Sequence, residues 1–278
     1  MAMDENVSKQ YIDLEKVLAA KGIKVPKFVL RFLNRLLHVE EINEGVYQAR
    51  DKEGVDFAKA IMQYLDITVE LVHPERLPVD GSPIIIANHP LGGPDGMALI
   101  GAVGDLRRDI LFPVNDFLMY LQPLKPVFVP IDKVHGNRGT AAGLEAAFAG
   151  QNALLYFPAG LCSRRIKGKI ADLDWKPTVV KKAVQHQRNL IPVYIDARNR
   201  RRFYTIANLR KRLGIKFNFE MALLPGEMFA QRGKTFRMTV GKPIPYHTFT
   251  SDVPAKDWAA RLHDYVYRLA DDENAVFE

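Results

Sequence analysis

Pro83-Ile84-Ile85-Ile86-Ala87-Asn88-His89-Pro90-Leu91-Gly92-Gly93-Pro94-Asp95-Gly96 is the stretch around which the rest of the chain is organised. Its first five residues form an unbroken apolar run, the pattern of a strand buried on both faces. Met97, Ala98, Leu99 and Ile100 then open a helix. A histidine on the turn between a buried strand and a helix sits at the sheet edge where open α/β sheets bind ligands. Pro90, Gly92, Gly93 and Pro94 impose an irregular backbone, so Asp95 can fold back toward a ring nitrogen of His89. A carboxylate on one nitrogen sets the tautomer and leaves the other free to take a proton. A capping Asn88 beside a purely structural histidine is the alternative reading of the same residues.

Outward from this turn the chain alternates strand and helix. Strands are predicted at 67–72, 83–87, 109–114, 126–131, 153–157 and 190–195, with later strands at 217–224 and 235–240. Helices are predicted at 97–103, 117–121, 140–149, 177–187 and 254–270, the last capped by Asp252. This rhythm predicts an α/β fold with a mainly parallel central sheet flanked by helices. Ahead of it lie a helix at 7–21 ending at Gly22, one with Pro26 at its first position, and one at 55–65. Residues 1–65 thus form an N-terminal helical preface suited to membrane-surface docking, and 66–278 the α/β domain.

Composition narrows the function. The 278 residues are 47% hydrophobic, enough for one large domain. The single cysteine, Cys162, excludes an internal disulfide and a cysteine-based zinc site, and suits a reducing compartment. As a nucleophile it is a poor candidate beside its reading as a small buried apolar residue. No basic-then-apolar leader opens the chain, and no apolar stretch approaches the ~20 residues that cross a bilayer. The expected location is the cytoplasm, in solution or at a membrane surface. A net charge of +7 favours a polyanionic partner, although it also simply aids solubility.

Two basic segments bear on that partner. In the second helix Lys27, Arg31 and Arg35 recur every four residues beside Phe28, Val29, Phe32, Leu33, Leu36 and Leu37. The pattern fits a helix lying in a membrane interface or an ordinary helix covering the sheet. Later, Arg198, Arg200, Arg201, Arg202, Arg210, Lys211 and Arg212 surround Phe203, Tyr204, Ile206 and Leu209. This stretch suits an anionic membrane, RNA phosphates with base stacking, or a solvated loop. It carries no zinc-finger, RRM or KH signature, so no nucleic acid partner is expected. His38, His73, His186, His247 and His263 lack acidic or histidine neighbours at metal-ligand spacing. Neither a phosphate-cradling Gly-x4-Gly-Lys nor a Gly-x-Ser-x-Gly elbow occurs.

Four segments, in order, resemble the blocks of the glycerolipid (lysophosphatidic-acid acyltransferase-like) acyltransferase superfamily. Asn88-His89 to Asp95 resembles the His-x4-Asp block, with five intervening residues instead of four. Pro130-Ile131-Asp132-Lys133 to Arg138 resembles the second block, whose arginine contacts the acceptor's anionic head group. Arg138 is the candidate, with Lys133 behind it, because arginine pairs bidentately with carboxylate or phosphate. Phe157-Pro158-Ala159-Gly160-Leu161-Cys162-Ser163-Arg164 resembles the third block, Phe-Pro-Glu-Gly-Thr-Arg-Ser, and keeps Phe157, Pro158, Gly160 and Ser163. Ala159 replaces the glutamate that helps build the acceptor pocket, which implies a different acceptor. Leu190-Ile191-Pro192-Val193 resembles the fourth block, on the acyl side.

The resemblance implies a membrane-associated O-acyltransferase of the hemolysin-like branch, which includes enzymes acylating ornithine and glycine aminolipids. His89 is then the general base and Asp95 its orienting partner. Asn88, Gly92, Gly93, Phe157, Pro158, Gly160, Ser163 and Arg164 join Lys133 and Arg138 on the substrate side. Backbone N–H groups around Gly92 and Gly93 are expected to steady the oxyanion. No cofactor is implied beyond acyl carrier protein or CoA as thioester co-substrate. The implied partners are that thioester, a lipid acceptor and an anionic membrane at its cytoplasmic face, where the protein is peripheral. A lysophospholipid acyltransferase, a thioesterase or lipase, and a non-catalytic lipid- or RNA-binding protein remain as other readings.

Overall fold

The structure, a computed structural model, describes residues 11–20, 22–131 and 138–278. Four helices come first: α1 (Leu14–Ala20), α2 (Lys27–Leu36), α3 (Val39–Gln48) and α4 (Gly54–Tyr64). The strands β1 (Thr68–Val72), β2 (Ile84–Ala87), β3 (Ile110–Asn115), β4 (Phe128–Ile131) and β5 (Ala153–Tyr156) follow. Helices α5 (Pro94–Gly104) and α6 (Arg138–Ala149) connect them. A hairpin, β6 (Arg164–Ile166) and β7 (Lys169–Ala171), leads through α7 (Thr178–Gln185) to β8 (Leu190–Asp196). Then come α8 (Arg201–Arg212), α9 (Leu224–Phe229), β9 (Thr235–Val240) and α10 (Ala255–Arg268).

Seven strands form one sheet in the order β1-β9-β8-β2-β5-β3-β4. β8, β2, β5, β3 and β4 are mutually parallel, whereas β9 runs antiparallel to β8 and pairs in parallel with β1. The predicted α/β fold with a mainly parallel sheet is the one observed. Helices cover both faces, and β2 shows why its sequence is uniformly apolar. Ile85 and Ala87 enter the core under α4 and α5, while Ile84 and Ile86 enter the core under α7 and α10. A side-chain period of two sends each neighbour to the opposite face, so a strand covered on both faces needs every residue apolar. In α10, Trp258, Leu262, Tyr265 and Val266 are buried at helical spacing and close the second face.

The layers meet tightly where α4 crosses α5. A Cβ on Gly104 would lie 2.3 Å from Val55 Cγ1, closer than side chains ever approach. Gly104→Ala is therefore expected to destabilise the protein by about 1–3 kcal/mol through overpacking. Urea denaturation should show a lower midpoint at unchanged slope. An unchanged midpoint would mean that the two helices separate at no cost.

The structure corrects several local expectations. Residues 217–224 are not a strand; Phe219–Leu223 is a 3-10 turn running into α9. Its apolar residues alternate like a strand, but Glu220 among them is fully buried and ion-paired to Arg164 and Arg210. That pairing and Pro225, which cannot donate to a ladder, override the local pattern. Asp252 does not cap α10, which starts after Pro254 without a side-chain cap. Pro26 precedes α2 instead of opening it. The first predicted helix is described only from Leu14, with Asp13 accepting the Lys16 N–H; residues 1–10 and 21 lie outside the described residues. Helix α3 and the β6–β7 hairpin had no forecast, and the basic stretch from Arg201 is helical.

Candidate active site

His89 leaves the carboxyl end of β2 between β5 and β8, and those strands fix its turn from both sides. Asn88 is buried and staples the turn to β8. Its Oδ1 accepts from Ile195 N–H at 2.7 Å, and its Nδ2 donates to Ile195 O at 3.0 Å. From beyond β8, Asn199 Nδ2 donates to the carbonyls of Pro90 and Leu91 at 3.3 and 3.4 Å. From the end of β5, the Phe157 ring stacks on the imidazole with centroids 4.2 Å apart and planes 17° apart. Asn88 and Phe157, expected on the substrate side, thus hold the histidine itself.

Asp95 sits in the first turn of α5, fully buried, with its Oδ2 2.9 Å from His89 Nδ1. Five intervening residues do not prevent the pairing, because the chain winds around the carboxylate. Leu91 and Gly92 N–H donate to Oδ2 at 2.8 and 3.2 Å, and Gly93 and Gly96 N–H to Oδ1 at 2.9 and 3.0 Å. The winding needs glycine at 92, where φ is +90° and a Cβ would meet Leu224 Cδ1 at 2.8 Å. The N–H groups expected to steady an oxyanion are therefore already bonded to Asp95.

The electrostatics follow from this cradle. Burial alone would push the His89 pKa down, but the charge and hydrogen bond of Asp95 outweigh it. Asp172 adds to them, and the net result lies above the usual histidine value. Burial would likewise raise the Asp95 pKa, yet His89 and the surrounding N–H groups hold it below the usual carboxylate range. Asp95 is thus ionised near neutral pH and accepts from Nδ1–H, so Nε2 carries the basic lone pair. Among the described residues, nothing hydrogen-bonds Nε2.

A second carboxylate, invisible to sequence reasoning, supports the same turn. Asp172, buried just after β7, accepts the His89 backbone N–H at 3.1 and 3.2 Å. It also accepts from Ser163 Oγ at 2.6 Å and from Trp175 Nε1 at 3.0 Å. Ser163 N–H in turn donates to His89 O at 2.7 Å. Ser163 is buried and donates its hydroxyl to Asp172, so it helps position the turn.

The other expected residues divide. Pro158 and Gly160 shape the turn after β5, where Gly160 N–H donates to Phe157 O at 3.0 Å. Ala159 faces the apolar core with Trp175 and Val179. Arg164 is buried and inward-facing: it donates to Cys162 O at 2.7 Å, pairs with Glu220 at 3.3 Å and lies over the Phe203 ring. Its expected role as a head-group contact gives way to an internal ion pair. Cys162 is buried with its thiol pushed up to about 11, chiefly by burial, which removes it as a nucleophile. Lys133 and the Arg138 side chain lie outside the described residues. Among the described residues, no cluster of His, Cys, Asp or Glu is placed to hold a metal ion.

A family model described as acyltransferase matches residues 14–265. The chain belongs to the acyltransferase family. It is similar to the lyso-glycine lipid O-acyltransferase of Phocaeicola vulgatus, with 42% identity covering 96% of this chain and 100% of that protein. The protein of the same name from Bacteroides thetaiotaomicron is 43% identical, over 93% of this chain and 97% of the other. The crystal structure of the 1-acyl-sn-glycerophosphate acyltransferase PlsC from Thermotoga maritima aligns at 17% identity with a TM-score of 0.49, over 94% of each chain.

In this acyltransferase Asp172 and Asn199 are the site residues that the sequence does not betray. They stand 83 and roughly 110 positions from the turn they fix, in segments without a recognisable pattern. The electrostatic part of the Asp172 contribution is testable. Asp172→Asn removes a charge that raises the His89 pKa. A general base works only when neutral, so activity rises with pH through that pKa. The acidic limb of the kcat/KM profile should move to lower pH in the variant. A limb that stays in place with a lower plateau would assign Asp172 a purely structural role.

Proposed function

We propose that this acyltransferase transfers a fatty acyl group from an acyl thioester to the hydroxyl of a lysolipid. The acceptor is a monoacylated aminolipid of the glycine-lipid type, with the reaction at the membrane surface. The observation that carries the reading is the His89–Asp95 pair, with Nδ1 held at 2.9 Å by a buried carboxylate and Nε2 left to act as base. The substrate class is supported by two relatives, more than 40% identical over nearly their whole length, named for lyso-glycine lipid O-acylation.

The proposed chemistry needs no covalent enzyme intermediate. His89 Nε2 takes the hydroxyl proton as the acceptor oxygen attacks the thioester carbonyl. The C–O bond forms, the C–S bond breaks, and the imidazolium returns the proton to the departing thiolate. Arg138, which begins α6 after β4, is the proposed partner of the acceptor's carboxylate. Ala159 on the apolar side of its turn fits an acceptor that requires no carboxylate there. Among the described residues, no helix is long and apolar enough to cross a membrane. Helix α2 buries none of its residues and exposes Phe28 and Phe32 beside Arg31 and Arg35. That supports its reading as an interfacial helix over a sheet-covering one.

The test is turnover by the purified enzyme of N-(3-hydroxyacyl)glycine with acyl-CoA and with acyl carrier protein as donors, followed by mass spectrometry. The expected product is the diacylated glycine lipid. Arg138→Ala should raise KM for this acceptor with a smaller effect on KM for the thioester. Acylation of lysophosphatidate in place of the glycine lipid would overturn the substrate assignment. Release of free fatty acid without acceptor would make the protein a thioesterase.

A further inference from the structure

The segment between α8 and α9 is built inside out. Glu220 is fully buried, while Phe217, three residues earlier, is 77% exposed. Leu209, Leu213, Ile215 and Phe219 are also exposed. A solvated loop normally buries the aromatic and exposes the carboxylate. Here the inversion is pinned. Arg210 pairs with Glu220 at 2.8 Å and donates to the carbonyls of Ile215 and Lys216. Arg164 holds Glu220 from the other side at 3.3 Å. At the neighbouring position Arg200 and Arg202 clamp the buried Glu227. Arg164 and Arg210 lie largely buried against Glu220, whereas Arg200 and Arg202 stay about half exposed while they pair with Glu227. Lys211, Arg212 and Lys216 have no carboxylate partner among the described residues and are exposed in the same stretch as these apolar residues.

We propose that residues 209–219 form a docking surface for an anionic lipid bilayer. The inference rests on the reading of the chain as an enzyme that acts on lipid. An exposed apolar patch of this kind marks an interaction site, and the three unpaired cations within residues 209–219 are complementary to an acidic headgroup layer. A bilayer interface takes Leu, Ile and Phe side chains while basic heads stay among the phosphates, with no need for a shaped partner. Each such cation contributes about fivefold in affinity near charged lipid.

The surface also lies close to the chemistry. Leu224, which opens α9, packs against Gly92 of the His89 turn. The seven Cα–Cα steps from Phe217 to Leu224 can span at most roughly 25 Å. Docking through this segment brings the His89 turn to the interface, where a lysolipid hydroxyl resides.

The experiment is co-sedimentation of the full chain with vesicles of pure phosphatidylcholine or with one-third phosphatidylglycerol. The wild type should partition onto the anionic vesicles in a salt-sensitive manner. Leu213→Asp/Phe217→Asp should weaken that partitioning by at least about tenfold, and Lys211→Glu/Arg212→Glu by a similar factor. These side chains are exposed, so circular dichroism should be unchanged. Turnover of acceptor dispersed in detergent should also stay at the wild-type level. Wild-type partitioning by both variants, with α2 alone holding the protein on the vesicles, would overturn the proposal. So would intact vesicle binding with a raised KM for acyl carrier protein, which would assign the surface to the donor protein. If the wild type fails to turn over dispersed acceptor, the functional reading falls, while the vesicle result still decides the surface.

Discussion

His89→Ala is expected to lower kcat by about a thousandfold and to leave the fold intact. General-base catalysis contributes roughly 10²–10⁴ in rate, and among the described residues no second base hydrogen-bonds into this site. The buried Asp95 carboxylate cannot substitute, because four backbone N–H groups still engage its two oxygens in the variant. Cys162 is held protonated by burial. The structural effect should be small, since the ring lies at the sheet edge and its chief packing partner is Phe157. Cells expressing the variant should accumulate the monoacylated lipid that the wild type converts to its diacylated form. Identical lipid profiles from two folded, equally expressed proteins would remove His89 from the chemistry. In the wild type the acidic limb of the rate profile should lie above the ordinary histidine pKa of about 6.5, because the folded site raises it.

Asp95→Asn should damage folding and catalysis together. An amide keeps one acceptor and replaces the other oxygen with a donor. Either orientation of the side chain then sets NH2 against backbone N–H groups that cannot turn away: Leu91 and Gly92 on one side, Gly93 and Gly96 on the other. Leaving two buried donors unsatisfied costs about 1–3 kcal/mol each, so a loss of about 3 kcal/mol or more is expected from denaturant midpoints. Whatever folds should turn over about a hundredfold to ten-thousandfold more slowly, because the imidazole loses the carboxylate that sets its tautomer. The acidic limb of any residual activity should shift to lower pH: the influences of Asp95 that raise the His89 pKa disappear, while the burial that lowers it remains. A variant as stable and as active as the wild type would show that the carboxylate does no more than fill space.

Both predictions concern residues that were legible before any coordinates. The apolar run before Asn88, the histidine after it and the acidic residue beyond two glycines sufficed to place a strand, a turn and a helix and to bring Asp95 within reach of His89; the structure closes the pair. These features are local, and strand period, helix opening and glycine-rich turns act over a few residues. What each neighbouring residue does was less legible. Ser163 matches a family block, Arg164 directly follows it, and both look like substrate contacts in the sequence. The fold turns them inward because Glu220 and Asp172, distant in sequence, arrive beside them. The arginines at 200, 202 and 210 read as free surface charge until Glu227 and Glu220 are found buried against them.

The sequence by itself determined the alternating α/β order, the mainly parallel sheet and the family, because each is written in short-range periodicity or a contiguous motif. Only the tertiary structure decided which polar residues pair with one another, that Asp172 and Asn199 anchor the His89 turn, and that Phe219–Leu223 is a helical turn with Phe217 and Phe219 outside. Pairing a buried charge depends on which chain segments meet in space. Sheet order sets those meetings, and no local pattern encodes them.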